Sequence, residues 1–181
     1  MSWYLAKSLE TLRNQVNAQW PKRDKSSDGT IGDAAHAVTK SEHNPDPSGA
    51  VRAWDCDKDL SSNVTVKVLV DALVAGRDPR ILYIIWNGRM IRSYAKTGIP
   101  AWTWSTYTGK NAHKEHMHIS VVESQALYNS TRPWNLAGMS TTPQEAQHDV
   151  RWLQAKLGVI ADGQVGPKTI EAMIKYVEKK E

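Results

Sequence analysis

Ile81-Leu82-Tyr83-Ile84-Ile85-Trp86-Asn87-Gly88-Arg89-Met90-Ile91-Arg92 is the stretch that decides the fold. Its first half is a short apolar run rich in β-branched and aromatic side chains, the composition of a buried strand. Asn-Gly then supplies the pair best suited to a two-residue hairpin turn, where both central residues need positive φ. The segment from Arg89 to Tyr94 is the returning strand. A hairpin in mid-chain with helical patterns on either side predicts an α+β domain built on a small antiparallel sheet.

Moving towards the N-terminus, residues 50 to 57 alternate as a short strand that ends in acids. Residues 21 to 50 are rich in Asp, Gly, Ser, Pro and Asn and read as loop, with a short helical piece around Asp33 to Val38. Residues 3 to 19 space Leu5, Leu9, Leu12 and Val16 as an amphipathic helix, stopped before Pro21. Between the first strand and the hairpin, Val64 to Ala75 is helical, with Val66, Leu69, Val70 and Leu73 on its apolar face. Beyond the hairpin, residues 97 to 112 form a loop containing Trp and Gly, and His116 to Val122 is another strand.

These elements place a sheet domain with flanking helices at residues 1–130, a linker at 131–143 and a small all-α module at 144–181. In the module, Ala146 to Leu157 carries Val150, Leu153 and Leu157 on one face. A turn from Ala161 to Pro167 leads into a second helix with Ile170, Met173, Ile174 and Val177 as its stripe.

Composition narrows the class without choosing a function. A 181-residue chain with 40% hydrophobic and 23% charged residues is an ordinary globular protein. A net charge of +4 permits attraction to an anionic polymer, nucleic acid or bacterial cell wall alike. The single cysteine, Cys56, excludes an internal disulfide; its alternation away from Asp55 makes it a buried apolar residue. The start, Met1-Ser2-Trp3-Tyr4, lacks a signal-peptide pattern, and no apolar run approaches the roughly 20 residues that span a bilayer. We therefore expect no membrane insertion. Phe is absent against eight Trp and six Tyr, and such amphipathic aromatics serve cores and ligand grooves equally well.

Chemistry concentrates in two places. One is Ser41-Glu42-His43-Asn44-Pro45 followed by Gly49-Ala50-Val51-Arg52-Ala53-Trp54-Asp55; the other is His113-Lys114-Glu115-His116-Met117-His118-Ile119-Ser120. Four of the six histidines lie in these segments. A His, an Asp and a His-x-His pair suffice to hold zinc with one coordination position open. On a strand, His116 and His118 project to one side while Met117 and Ile119 project to the other. Surface residues with no shared role are the alternative reading of the same residues.

Ser-x-His, then Gly-x-x-x-Ala-x-Asp, then His-x-His-x-Ser resembles the metallopeptidase group that unites lysostaphin-type enzymes, D-Ala-D-Ala peptidases and hedgehog. More narrowly, it resembles the D-alanyl-D-alanine carboxypeptidase-like domains of phage endolysins. The resemblance covers roughly residues 25 to 125, and three separated motifs occur in order. It implies His43, Asp55 and His118 as zinc ligands. The twelve-position step from His43 to Asp55 is longer than in many members, and Pro45, Pro47 and Gly49 suit a looped-out insertion. The segment from Val150 to Gly158, with Ala161-Asp162-Gly163 and Gly166-Pro167-Lys168-Thr169, is similar to the small helical peptidoglycan-binding domain. Its closing residues Ile174-Lys175-Tyr176-Val177 depart from that pattern.

The resemblance implies a zinc peptidase acting on peptidoglycan. Three residues compete to move the proton: Glu115, ranked first, then His116 and His113. Strand alternation would turn Glu115 away if the strand already begins there. His36 is a candidate for the wall of the site, and Trp102, Trp104 and Tyr107 for a stem-peptide groove. The expected partner is bacterial peptidoglycan, with no nucleic acid, and the expected state is a monomer. It would be made in the host bacterial cytoplasm and act on the wall after release. A wall-trimming D-Ala-D-Ala carboxypeptidase, a non-catalytic zinc-containing wall-binding protein and a metal-dependent nuclease are the rivals.

Overall fold

The computed structural model describes residues 2–32, 41–136 and 143–178, so the expected helical piece at 33–38 lies outside them. The chain forms two compact units, Met1–Leu136 and Ala137–Glu181. The first is a mixed α+β unit. Its elements are β1 (Tyr4–Leu5), α1 (Lys7–Gln19), β2 (Ala50–Val51), β3 (Ala53–Asp57), β4 (Asp59–Ser61), β5 (Val64–Thr65) and α2 (Lys67–Gly76). There follow β6 (Ile81–Trp86), β7 (Arg89–Arg92), β8 (Ser105–Thr106), β9 (His116–Val121) and α3 (Gln125–Tyr128).

The main sheet has the order β3-β9-β6-β7-β8, with every pair antiparallel. The β6–β7 hairpin turns at Asn87 and Gly88, whose φ values of 49° and 75° are those the Asn-Gly pair was expected to supply. One face of the sheet is core: Trp54, Cys56, Ile84, Ile91, Met117 and Ile119 are at most 1% exposed. Leu9, Leu12 and Val16 of α1 and Leu69, Val70 and Leu73 of α2 are buried as well. The other face carries Asp55, His116 and His118, because alternation sends every second side chain there.

Several elements differ from expectation. The N-terminal helix starts at Lys7, since Tyr4 and Leu5 pair in parallel with Ala50 and Val51. Leu5 is thus buried from a strand, and apolar spacing alone does not separate the two cases. The strand at 50–57 breaks at Arg52, whose amide donates to the Glu42 carbonyl. Val64 and Thr65 pair with β4, so α2 starts three residues later than expected. Ser105 and Thr106 add an edge strand within the expected loop.

The expected linker also begins too early. Arg80 is fully buried; it donates to Asp78 and to the carbonyls of Arg132 and Pro133. Its guanidinium lies 3.9 Å from the Trp134 ring centroid. Trp134 donates from Nε1 to the Ser8 carbonyl at 2.7 Å, and its backbone is held at both ends by the Gln15 amide. Residues 131–136 therefore belong to the first unit.

The second unit contains α4 (Pro143–Leu157) and α5 (Pro167–Glu178). Gln154, 1% exposed, ties their connection together: its amide donates to Asp162, the Gln164 carbonyl and Thr169, and its carbonyl accepts from the Gly163 amide. No helix among the described residues is long and apolar enough to cross a membrane.

Candidate metal centre

Asp55 on β3 and His118 on β9 are directly paired across the antiparallel ladder, which fixes their side chains side by side on one face. His118 Nδ1 lies 3.0 Å from Asp55 Oδ1. His43 comes in on the loop before β2, with Nε2 3.3 Å from Asp55 Oδ2 and 3.1 Å from His118 Nδ1. These three ligand atoms form a cluster able to hold a metal ion.

The donor chemistry fits one. Two metal–ligand bonds of about 2.0–2.1 Å at a tetrahedral angle set the ligand atoms about 3.3 Å apart, close to the observed spacings. Both rings are turned the right way. His43 Nδ1 donates to the Thr30 carbonyl at 2.7 Å, leaving the Nε2 lone pair towards Asp55. His118 Nε2 is 2.8 Å from the Ser120 hydroxyl, which leaves Nδ1 to face the cluster.

Thr30 reaches its place through a backbone bridge between Gly29 and Asp55, with bonds of 3.1 and 2.8 Å. A Cβ at Gly29 would lie 2.8 Å from Asp55 Oδ2, so only glycine admits the carboxylate there. Asp57 accepts from the Ser26 hydroxyl and the Ser27 amide and anchors the same loop. Tyr83 stacks on His118, with centroids 5.4 Å apart, and donates to Glu42 beside His43.

The Asp55 carboxylate dominates the electrostatics of the cluster. Burial alone would raise the Asp55 carboxyl, but hydrogen bonds and charge from His118 and His43 overcome it and hold the group well below the carboxylate range. Burial lowers His118 despite its bond to Asp55, so the ring favours the neutral form that a metal needs. For His43, burial acts downward but the Asp55 carboxylate wins and raises it. Burial and the neighbouring His118 and His116 push His113 down to about 4.

His113 and His116 stand beside this centre. His116 Nε2 is 3.8 Å from Asp55 Oδ2, and the His113 ring lies 5.0 Å from that of His116 and 5.5 Å from that of His118. Tyr107 meets the His113 ring edge-on at 5.4 Å, which brings it to the margin of the site.

Glu115 stands apart from the imidazoles in this structure. It precedes β9, its side chain is 66% exposed, and its carboxylate pairs with Lys58 at 2.5 Å. Because β9 begins at His116, alternation does not fix Glu115; its exposure and its pair with Lys58 do. Trp102 and Trp104 are tied to β7: the Trp102 amide donates to Arg92, and the Trp104 ring lies under the Arg89 guanidinium. That strand is two removed from β9, roughly 10 Å at the usual strand spacing. His36 lies outside the described residues. Cys56 is buried on the opposite face, and burial pushes its thiol up, away from ligand or nucleophile chemistry.

Gly29, Thr30 and Tyr83 were not legible as site residues, because each contributes through a backbone contact or a stack that needs the sheet register. The Ser of His-x-His-x-Ser was the one signal for an orienting group. The chain matches no family model, no curated protein and no solved structure.

Proposed function

We propose that the chain is a zinc-dependent peptidoglycan peptidase of the endolysin type, cutting stem-peptide or cross-link amide bonds of the bacterial wall. The convergence of His43 Nε2, Asp55 and His118 Nδ1 at 3.0–3.3 Å, with two more imidazoles alongside, carries this reading. The order of the three sequence motifs supports it. When bound, zinc supplies Lewis acidity that polarises the scissile carbonyl and makes water a competent nucleophile near neutrality.

Within that scheme, Asp55 and the two ligand imidazoles fix the metal, and Thr30 and Ser120 hold the rings in register. With Glu115 occupied by Lys58, proton transfer falls to the imidazoles. A group with its pKa near 4 is a poor proton acceptor at neutral pH, so His113 is a weak base. His116, nearest Asp55 of the two, takes the water proton and delivers it to the leaving amine. Tyr107 beside His113 contributes a wall for the stem peptide, and the C-terminal helices contribute wall affinity. The protein acts as a monomer, made in the host cytoplasm and released to the wall.

Zymography on purified cell walls tests the reading. The wild-type chain is expected to clear walls; chelator and His118→Ala should each abolish clearing, and added zinc should restore only the chelated wild type. Mass spectrometry of the released muropeptides identifies the bond. Loss of terminal D-Ala alone would replace the endolysin reading with a trimming carboxypeptidase. Wall binding without cleavage would leave a binding protein, and degradation of DNA would overturn all three.

A further inference from the structure

We propose that His113, His116 and Asp55 form a second divalent-cation site, joined to the first through the Asp55 carboxylate, which fills at excess zinc and blocks hydrolysis. The blocking step rests on the peptidase reading; the site itself does not. One ligand atom from each of the three residues lies within 4.8 Å of the others. The carboxylate reaches both sets: Oδ1 lies 3.0 Å from His118 Nδ1, while Oδ2 lies 3.3 Å from His43 Nε2 and 3.8 Å from His116 Nε2. Asp55 thus stands between two imidazole pairs. Two-metal hydrolytic sites hold their ions about 3.5–4 Å apart, a span that a single carboxylate bridges.

His113 is built for a fixed direction. It adopts the left-handed conformation at φ 51°, which is unfavourable for a residue with a Cβ. Three hydrogen bonds hold it there: its amide donates to the Asn111 side chain, its carbonyl accepts from the Asn87 amide, and its Nδ1 donates to the Asn111 carbonyl. With Nδ1 carrying the proton, Nε2 offers its lone pair, the arrangement usual for a ligating imidazole. The β6–β7 turn takes part, since Gly88 donates to Ala112 and accepts from Tyr107. Two imidazoles and a carboxylate suit zinc or cobalt over magnesium or calcium.

The second site is the weaker one. Its ligand atoms are more widely spaced, and one shared carboxylate must offset the charge of two dications. Filling it occupies the lone pair of His116 and so removes the proton acceptor from the reaction.

The full chain, dialysed against rising free Zn²⁺ and counted by elemental analysis, provides the test. Wild type should bind one equivalent tightly and a second more weakly, while His113→Ala and His116→Ala should each keep the first and lose the second. The retained first equivalent reports folding, because that site assembles only when β3 and β9 pair. With Co²⁺ in place of zinc, the second equivalent should reduce the electron paramagnetic resonance intensity through coupling of neighbouring ions. A single equivalent in wild type, or a second one that survives in both variants, overturns the proposal. Zymography separates the two readings. Two ions on a chain that never cuts walls support the site and defeat the peptidase, whereas wall cutting with one ion at any zinc level does the reverse.

Discussion

The hydroxyl of Ser120 accepts from His118 Nε2 and so decides which imidazole nitrogen faces Asp55. Partners of this kind typically contribute 10–100-fold to metal affinity. Ser120→Ala is expected to weaken zinc binding by about that factor in a chelator competition while the thermal unfolding of the metal-free chain stays within a few degrees. Unchanged affinity would mean that the orienting bond is dispensable. Gly29→Ala should act more severely, since the new Cβ meets Asp55 Oδ2 at 2.8 Å and the carboxylate can yield only by leaving its place between His43 and His118. The residues of the cluster were legible from sequence, because the chain has only six histidines and four of them fall in the aligned motifs. Their orienting partners were not, because a backbone carbonyl at Thr30 has no sequence signature.

Strand β9 carries His116 and His118, and its phase sets both imidazoles on the face that Asp55 shares. His116 and His118 share a face, Met117 and Ile119 fill the core, and Glu115 falls to the outside with Lys58. Alternation would have excluded Glu115 only had the strand begun there; it begins at His116, so the ion pair with Lys58, not strand phase, holds Glu115 outside. The clip around Arg80 is a second element-scale feature, and it titrates. Burial alone would raise Asp78, but hydrogen bonds from the Arg80 side chain and backbone and the charge of Arg80 and Arg132 lower it. A carboxyl depressed on folding adds stability that is fully present above its unfolded value of about 3.9 and is lost as pH falls through the folded value. Urea unfolding compared at about pH 6 and about pH 3 should show this loss, and Asp78→Asn should remove part of the difference. An unaltered acid response in that variant would place the acid lability elsewhere.

At the scale of the whole molecule, the first unit closes on itself through Trp134 and the second stays a lightly buried helical hairpin. Trp134 is 3% exposed and Trp152 is 60% exposed, so the same residue type carries different weight in the two units. Trp134→Ala should cost about 3–5 kcal/mol in urea unfolding, against less than about 0.5 kcal/mol for Trp152→Ala. Equal effects would refute the assignment of residues 131–136 to the first unit. Ile170, Met173 and Ile174 formed a clear stripe in the sequence, yet they remain 37–53% exposed, because two helices of this length have too little partner surface to cover it. Sequence by itself determined the β6–β7 hairpin, the apolar phases of α1, α2 and β9, and the His and Asp residues that could meet. Those follow from local rules: turn chemistry, side-chain periodicity and the clustering of a scarce histidine. Only the tertiary structure decided that Asp55 faces His118 across a ladder, that the Gly29 loop orients His43, that Glu115 is spent on Lys58 and that Trp134 closes the first unit. Each depends on register between segments tens of residues apart, and register is set by the packing of the whole sheet.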